Sequence, residues 1–582
     1  MFPKRKPRLA RLEAAGDIDW ADDDDGVPPG IGSRMFTLRG LLRSSHLFAV
    51  PPYQRAYSWQ DEQVEKLLDD TLTACAAGEP SYLLGTMVVQ KMADDTYLVV
   101  DGYQRLMTLT LILSHLRDLN ADTPLAARLQ ALIAPNSQGR LSPRRADQDL
   151  VLECVQHPGR LSHLPEKSAS IAQRRLAAAS KLIGDTLAPA PPAPPTPPEA
   201  MVAYANFLCR RITLNVIEAD NAVSAGVLFR VLAERGLRMP ESALVKSQLL
   251  VRAGIPRDEA DDLSDRWDKL EDDLGERDFE DFLRLTPQIL TGDAGRRRAP
   301  DLSYFYDGAF DVEQARQFMR REIWAFADIF LRFNVQEIER FEADHEIKRV
   351  MKCLLLYRER HWMAPAIDYL ANHPLDTPET LAFMQGLDRL CFLRAMGGMP
   401  ENRLNARYSR ILAAHGDIAA LSGPGMFGLT DHEHDTLMKK LHEPAPVNEH
   451  RRRILALRCN AALENGEALV DVGQDATIEH IKPLSDSAYW LKKFPDPKRR
   501  REFTHILGNF TIVTLTQNNA AANLSFEEKK AVYFDRRFPM RAITRTLEKV
   551  AEWNELALMR RHDALIYELC KDLKITAPGL SF

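Results

Sequence analysis

Cysteine is scarce and scattered. The seven at positions Cys75, Cys154, Cys209, Cys353, Cys391, Cys459 and Cys570 include no C-x-x-C pair, which excludes a disulfide framework and a zinc knuckle and fits a reducing, cytosolic setting. No stretch approaches the roughly 18 apolar residues of a transmembrane helix. The N-terminus MFPKRKPRLARLEAAGD lacks the apolar centre of a secretory signal. A cytoplasmic protein with no membrane partner is therefore expected. There is no G-x-x-x-x-G-K-[ST] loop, so a nucleotide would not be held in the P-loop manner. Residues 302 to 443 read as amphipathic helices without the fixed period of a solenoid. Charge of one sign is also lacking, at a net −6. From Ala445 onward, however, 22 Arg and Lys stand against 18 Asp and Glu, a small basic excess of the sign a polyanion favours.

What is present is the composition of a globular protein, 45% hydrophobic and 27% charged with a mean hydropathy of −0.29. A chain of 582 residues is too long for one core and suggests roughly three or four domains. Residues 1–33 read as a disordered tail, basic then acidic with nothing to build a core. The fold class expected is multidomain α+β: an α/β N-terminal domain over 34–300, a mostly α-helical connector over 301–444, and a C-terminal domain over 445–582.

Within the first of these, Asp61 to Ala76 has apolar residues at helical spacing and acidic residues in the first turn. YLLGTMVVQ and TYLVV read as strands joined by a short turn, and Ala121 to Leu187 as helical. The proline-rich stretch near 188–200 reads either as a linker or as a long loop inside one domain, because strand-like CRRITLNVIEAD follows it. Val227 to Leu250 reads as helix, turn at Arg235-Gly236, helix.

Two loops share a Gln-Arg pair after a strand: Gln54-Arg55 in PPYQRAYSW and Gln104-Arg105 in VVDGYQRL. At the second, Asp101-Gly102 makes the turn and Gln104 and Arg105 fall in the first turn of an apolar helix. Free N–H groups, the helix dipole and a guanidinium together make a phosphate site. Ordinary ion pairs and a simple turn are the competing reading.

Near the other end, Thr477 to Asn523 reads TIEHIKPLSDSAYW, a charged segment, then HILGNFTIVTLTQNNAAAN. In a straight strand Glu479 and His480 would point to opposite sides, so both reach one phosphate only at a turn or bend, which Pro483 allows. His480 is suited to take a proton from water near neutrality. Glu479 offers a hard oxygen to Mg²⁺ or Mn²⁺, and an asparagine carbonyl could add a second. Asn509 could orient the imidazole through its amide, and Asn518 and Asn523 lie where a following helix would carry them over the metal. Basic runs at Lys492-Lys493, Lys498 to Arg501, Arg536-Arg537 and Arg560-Arg561 could track phosphates or be solvated faces.

PPYQRAYSWQDEQVEKLLDD, YLLGTMVV and VVDGYQRLMTLTLIL resemble the N-terminal domain of the GmrSD-type, modification-dependent restriction nucleases. The resemblance continues through Phe229, Leu232, Arg235, Gly236, Leu244, Lys246 and Ser247. It departs at Tyr103, Ala233 and Ala243, where the family's polar residues are replaced. It implies a ParB/sulfiredoxin-like fold that binds GTP or ATP through Gln54, Arg55, Asp101, Gly102, Gln104 and Arg105. Glu479-His480-Ile481-Lys482-Pro483, Trp490, Leu507-Gly508-Asn509 and the asparagine cluster resemble the same family's HNH, or ββα-metal, nuclease domain. That implies His480 as general base, Glu479 as metal ligand, Asn509 as orienting residue, and Asn518 or Asn523 as the last ligand. The zinc-binding cysteines of larger HNH domains are missing, so packing falls to Trp490, Trp553 and the C-terminal helices.

The function implied is a defence endonuclease acting on DNA, expected to be modified phage DNA, under nucleotide control. A non-catalytic nucleotide-dependent switch and a protein whose main output is NTP hydrolysis are the alternatives. Oligomeric state, including self-association, leaves no readable trace.

Overall fold

The apolar runs expected to be strands form the centre of a mixed sheet. β3 (Tyr82–Lys91) pairs antiparallel with β4 (Thr96–Asp101) and parallel with β6 (Ile212–Ala219). β1 (Ile31–Thr37), β2 (Leu47–Ala49) and β5 (Leu141–Ser142) complete the order β1-β6-β3-β4-β2-β5. The computed structural model describes residues 31–576 apart from 44–46, 93–95, 136–138, 166–169, 192–195, 221–227, 229–240, 296–301, 306–309, 334–337, 339, 341–342, 358, 415, 445–448 and 465–475. The turn at 93–95, the Phe229 to Gly236 segment with Ala233, and residues 1–30 therefore lie outside the described residues.

Two compact units divide the chain. The first is Met1–Ser247 with Pro256–Asp272, and the second is Gln248–Ile255 with Asp273–Phe582. The boundary thus falls earlier than position 300, because helix Glu276–Thr291 buries Phe279, Phe282 and Leu283 against the helices of the second unit. Ile31, Gly32 and Ser33, expected to belong to the tail, pair instead with Ala219, Glu218 and Ile217 of β6.

In the first unit the residues of helix Tyr103–Leu119 from Leu106 to Leu113 are buried without a solvent face. It packs on helices Pro124–Ile133 and Ile171–Leu187. Helix Asp61–Ala76 forms where its spacing predicted and buries Val64, Leu67, Leu68, Thr71 and Ala74. Between 121 and 187 the described residues include helices Pro124–Ile133, Arg145–Leu150 and Ile171–Leu187 separated by non-helical segments, among them β5, which pairs parallel with β2 and adds an edge strand to the sheet. The proline-rich stretch joins helices Ile171–Leu187 and Pro198–Arg211 of the same unit, and the strand after it enters the same sheet. It is a loop within a domain.

Among the described residues the second unit is mostly helical from Asp273 to Leu463, and β7 (Ala476–His480) then pairs antiparallel with β8 (Phe510–Thr514). Arg458, 1% exposed, reaches Asp388 at 2.7 Å and Asp572 at 2.9 Å, and Arg349 reaches Asp572 at 2.6 Å. These ion pairs join helices Pro378–Ala395, Glu449–Leu463 and Glu555–Asp572. Trp490 and Trp553 are fully buried in the C-terminal core, where Trp553 stacks on Phe526 and Trp490 Nε1 donates to the Leu524 carbonyl at 3.1 Å.

Candidate active site

In the first unit the two Gln-Arg loops converge. Gln54 Nε2 donates to the Val100 carbonyl at 2.7 Å, while Gln104 accepts from the Ser58 N–H at 2.8 Å and donates to the Ala56 carbonyl at 2.9 Å. Both amides staple the 51–60 loop to the end of β4 and the start of helix Tyr103–Leu119. Their hydrogen-bonding capacity is thus spent largely on backbone. Between them lies a charged group. Burial pushes the Asp101 carboxyl up, against the pull of Arg105, the Gly102 N–H and Arg55. Burial lowers the Arg105 guanidinium, which donates to the Thr86 carbonyl at 2.9 Å.

Two glycines make this geometry possible. Gly102 turns at φ +98°, with Met87 where a Cβ would sit. Gly85 lies at φ +119° in the irregular part of β3, where an added Cβ would meet the Arg105 guanidinium at 3.5 Å. Both conformations are ones that only glycine adopts cheaply. Arg55, Asp101, Gly102 and Arg105 therefore come together, as the sequence suggested, whereas the two glutamines hold the loop.

Tyr103 points away from this group into the core and is 2% exposed. Its hydroxyl lies in the field of Asp147 and Arg144. Arg144 in turn pairs with Asp268, which also takes Lys246 at 2.8 Å. Ala243 is buried on the same helix as Lys246, and the carboxylate partner of Lys246 comes instead from Asp268 on helix Arg257–Leu274. Arg144, Asp147 and Asp268 carry no local sequence signal. Arg144 and Asp147 are three residues apart, whereas Asp268 reaches them only through the fold.

In the second unit β7 ends at His480 and its residues alternate. Glu479 pairs with Thr511 and His480 with Phe510, so the two side chains take opposite faces. Glu479, 6% exposed, accepts from Lys529 Nζ at 2.5 Å and from the Tyr533 hydroxyl at 3.1 Å. Burial pushes its carboxyl up, and Lys529 and Tyr533 pull it back toward the charged form. The expected arrangement, with Glu479 and His480 facing one phosphate, is corrected here. The strand runs straight through both residues, and the turn begins only after His480.

His480 lies on the other face, edge-on to Phe510 and to His505, with ring centroids 5.1 and 5.7 Å away. Its Nε2 is enclosed and has no hydrogen-bond partner among the described residues. Burial, followed by the positive fields of His505, Arg452, Lys529 and Lys482, pushes the imidazole down to about 4. It is neutral at pH 7 and its free nitrogen can take a proton. His505, in the segment that precedes Leu-Gly-Asn, was missed by sequence reasoning. Its only signal was a second histidine near the first strand's partner.

Asn509 is fully buried and spends its amide on the loop after β7. Oδ1 accepts from the Lys482 N–H at 2.7 Å, and Nδ2 donates to the carbonyls of Lys482 and Thr504 at 2.9 and 3.0 Å. It orients His480 through the backbone, with its own carbonyl taking the Ile481 N–H at 2.9 Å, and not through contact with the imidazole. Asn518 Nδ2 donates to Thr477 Oγ1 and the Ile478 carbonyl at 2.9 and 3.1 Å, which ties helix Leu515–Ala521 to β7. Asn523 is exposed, and the helix after it is capped by Ser525. Of the two asparagines, only Asn518 comes to the strand.

A divalent metal is what the resemblance implies, and the residues as placed do not fit one. The one carboxylate is bonded to an ammonium and a phenol on the far face from His480. Among the described residues no group of three or more His, Cys, Asp or Glu could hold a metal. Around the imidazole the charge is positive, which suits an anion. Of the basic runs, Arg561 is buried and donates to the carbonyls of Gly508, Phe510 and Ile543, so it is structural. Lys492, Lys498, Arg501, Arg536 and Arg560 are exposed.

One unit gathers two arginines beside a helix start, and the other holds a histidine in a cationic setting. The chain matches the model of the GmrSD restriction endonuclease N-terminal domain over residues 38–250 and that of the GmrSD restriction endonuclease C-terminal domain over residues 435–568. It belongs to the GmrSD restriction endonuclease family. No curated protein matches the chain. Among the described residues no helix is long and apolar enough to cross a membrane.

Proposed function

We propose that the protein is a DNA endonuclease of phage defence in which His480 is the general base of an HNH-type centre. The observation that carries this reading is the His480 imidazole, neutral at pH 7, with an unpartnered Nε2 and cations around it. Nε2 takes a proton from water, the hydroxide attacks phosphorus, and the bond from phosphorus to the leaving sugar oxygen breaks. That oxygen is protonated from solvent. Lys482 and Arg452 supply positive charge where the phosphate would develop negative charge. No step is routed through a metal. A Mg²⁺ or Mn²⁺ requirement rests on the family resemblance alone.

In the first unit Arg55, Asp101, Gly102 and Arg105 would bind GTP or ATP as the regulator, with the guanidinium groups on phosphate and Asp101 fixing their orientation. Modified phage DNA is the substrate the family suggests. The test is cleavage of modified and unmodified phage DNA by the wild type, His480→Ala and Arg105→Ala proteins, with and without GTP or ATP. Each reaction is run after EDTA treatment and again with Mg²⁺ or Mn²⁺ restored. Full cleavage by His480→Ala sinks the catalytic assignment.

One observation favours a second reading, a switch that binds DNA without cutting it. Glu479 is engaged by Lys529 and Tyr533 on the face of β7 opposite His480. Retention of DNA by a wild type that never cleaves it, under any of these conditions, would favour this reading.

A further inference from the structure

The imidazole on which the proposed mechanism turns is closed off. His480 Nε2 is enclosed, so water does not reach it in this conformation. Two rings stand edge-on against His480, Phe510 at 5.1 Å and His505 at 5.7 Å between centroids. They differ in how firmly they are held. Phe510 is 0% exposed and pairs with His480 across the two strands, so it cannot leave without breaking the sheet. His505 is half-buried and ends helix Pro497–Thr504.

The chain around His505 is fixed, whereas its ring is not. Thr504 accepts from Asn509 Nδ2 through its carbonyl and from Lys482 Nζ through Oγ1, each at 3.0 Å. The His505 N–H donates to the Glu502 carbonyl at 3.2 Å. The His505 ring has no hydrogen-bond partner among the described residues, and a part-exposed side chain changes rotamer far faster than a strand unpairs. Burial, then the positive fields of Arg452 and Lys482, push its imidazole down, and the same two cations act on His480. At pH 7 the ring is therefore neutral and has one N–H to donate, beside cations that draw an anion.

We propose that His505 is the cover and positioning residue of this centre: its ring closes over His480 in the free protein and turns outward to a DNA phosphate, which opens Nε2 to water. The proposal rests on the reading of His480 as the base. It accounts for a nitrogen that is both enclosed and unpaired, a state that native interiors rarely keep because it costs stability. Hydrating that nitrogen recovers the cost, so the open state is favoured once a phosphate holds His505 outside. Water is then activated only where a phosphate is in place.

Diethyl pyrocarbonate acylates neutral imidazoles that solvent reaches, and it tests this on the full-length protein. His480, His505 and His562 fall on separate tryptic peptides with no other histidine, so mass spectrometry reads each one. His562 is 0% exposed and reports unfolding. In the free wild type His505 should react and His480 should not. Modified and unmodified phage DNA are each added in EDTA, and at least one should shield His505. His505→Ala should make His480 at least about tenfold more reactive without DNA, while His562 stays silent. In cleavage His505→Ala should raise KM about tenfold, the worth of one hydrogen bond to a charged group, with a smaller effect on kcat. His505→Phe keeps a ring over the base but cannot donate, and should lower kcat about a hundredfold. A merely structural role would move both variants alike. A His480 as unreactive in folded His505→Ala protein as in the wild type overturns the proposal, as does a His505 that DNA leaves unshielded. If the Ala variant unfolds, the shielding of the wild type decides. A wild type that is shielded and uncovered as expected yet never cleaves DNA refutes the base assignment and leaves the cover standing.

Discussion

Lys529 Nζ lies 2.5 Å from Glu479 Oε1 and also donates to the His480 carbonyl at 2.9 Å. Helix Phe526–Tyr533 thus clamps the end of β7 from the face opposite the His480 side chain. Removing one partner leaves the other buried without compensation, at a cost of about 3–5 kcal/mol, whereas replacing both with apolar groups is often neutral. Lys529→Met is therefore expected to lower the melting temperature markedly, and Glu479→Leu/Lys529→Met to recover most of the loss. Calorimetry on the two single variants and the double variant checks this. Additive losses would mean that the pair does not act as a unit.

The pH dependence of cleavage follows from the depressed His480. An ordinary histidine base loses activity as pH falls through about 6.5. Burial and neighbouring cations place His480 at about 4, so cleavage should stay flat from pH 8 to about 5.5 and fall only below that. The kcat/KM profile on a short duplex is the measurement. An acid limb centred near 6.5 would show that the imidazole is not held neutral.

Stability changes over a different window. His115, His480 and His562 are pushed down to about 4, 4 and 3 by burial. The unfolded chain therefore binds more protons than the folded one below about 6.5, and stability falls as pH drops from there toward the folded values. Each group should cost at most about 2 kcal/mol by pH 5, at 1.36 kcal/mol per pH unit. Urea titrations at pH 7 and pH 5 report the difference. His562→Gln should make the pH dependence shallower, because Nδ1 of His562 accepts from the Gly508 N–H at 3.2 Å and an uncharged amide can replace it.

Much of this architecture is legible in the sequence where the signal is local. Helix Asp61–Ala76, β3, β4 and the helix start just after Gly102 follow from periodicity and turn chemistry, which act over a few residues. The pairing of Glu479 with Lys529, 50 residues apart, has no periodic trace. Neither do the amide staples from Gln54 and Gln104, because a glutamine that binds backbone and one that binds phosphate look alike in a motif. The alternation rule did warn that Glu479 and His480 diverge in a straight strand. What it lacked was the position of the turn, which depends on Asn509 holding Lys482 from 27 residues away.

In the first unit the two kinds of polar residue should separate by assay. Arg105→Ala removes a proposed charge-assisted phosphate contact worth about 1.5–3 kcal/mol, so GTP or ATP affinity should fall at least about tenfold, beyond the loss of melting temperature that follows from freeing the Thr86 carbonyl and Asp101. Gln104→Leu leaves the Ser58 N–H and the Ala56 carbonyl unpaired. It should destabilise the unit by about 1–3 kcal/mol and weaken nucleotide only through the loop. Calorimetric titration beside thermal melts distinguishes them. Equal loss of affinity at unchanged stability would return Gln104 to direct ligand contact.

Gly508 offers the sharpest steric test. A Cβ there would sit 2.7 Å from both the Leu558 carbonyl and the His562 Cβ on helix Glu555–Asp572, and neither can move without the helix. That helix is held to the same loop by Arg561, which donates to the carbonyls of Gly508 and Phe510. Overpacking of this kind costs about 1–3 kcal/mol. The displacement would pass to the neighbouring Asn509, whose carbonyl takes the Ile481 N–H directly after the base. Gly508→Ala is therefore expected to lower both melting temperature and cleavage rate, while nucleotide binding by the first unit is unchanged. Loss of nucleotide binding together with cleavage would mean that the substitution unfolds the whole chain and not the C-terminal region.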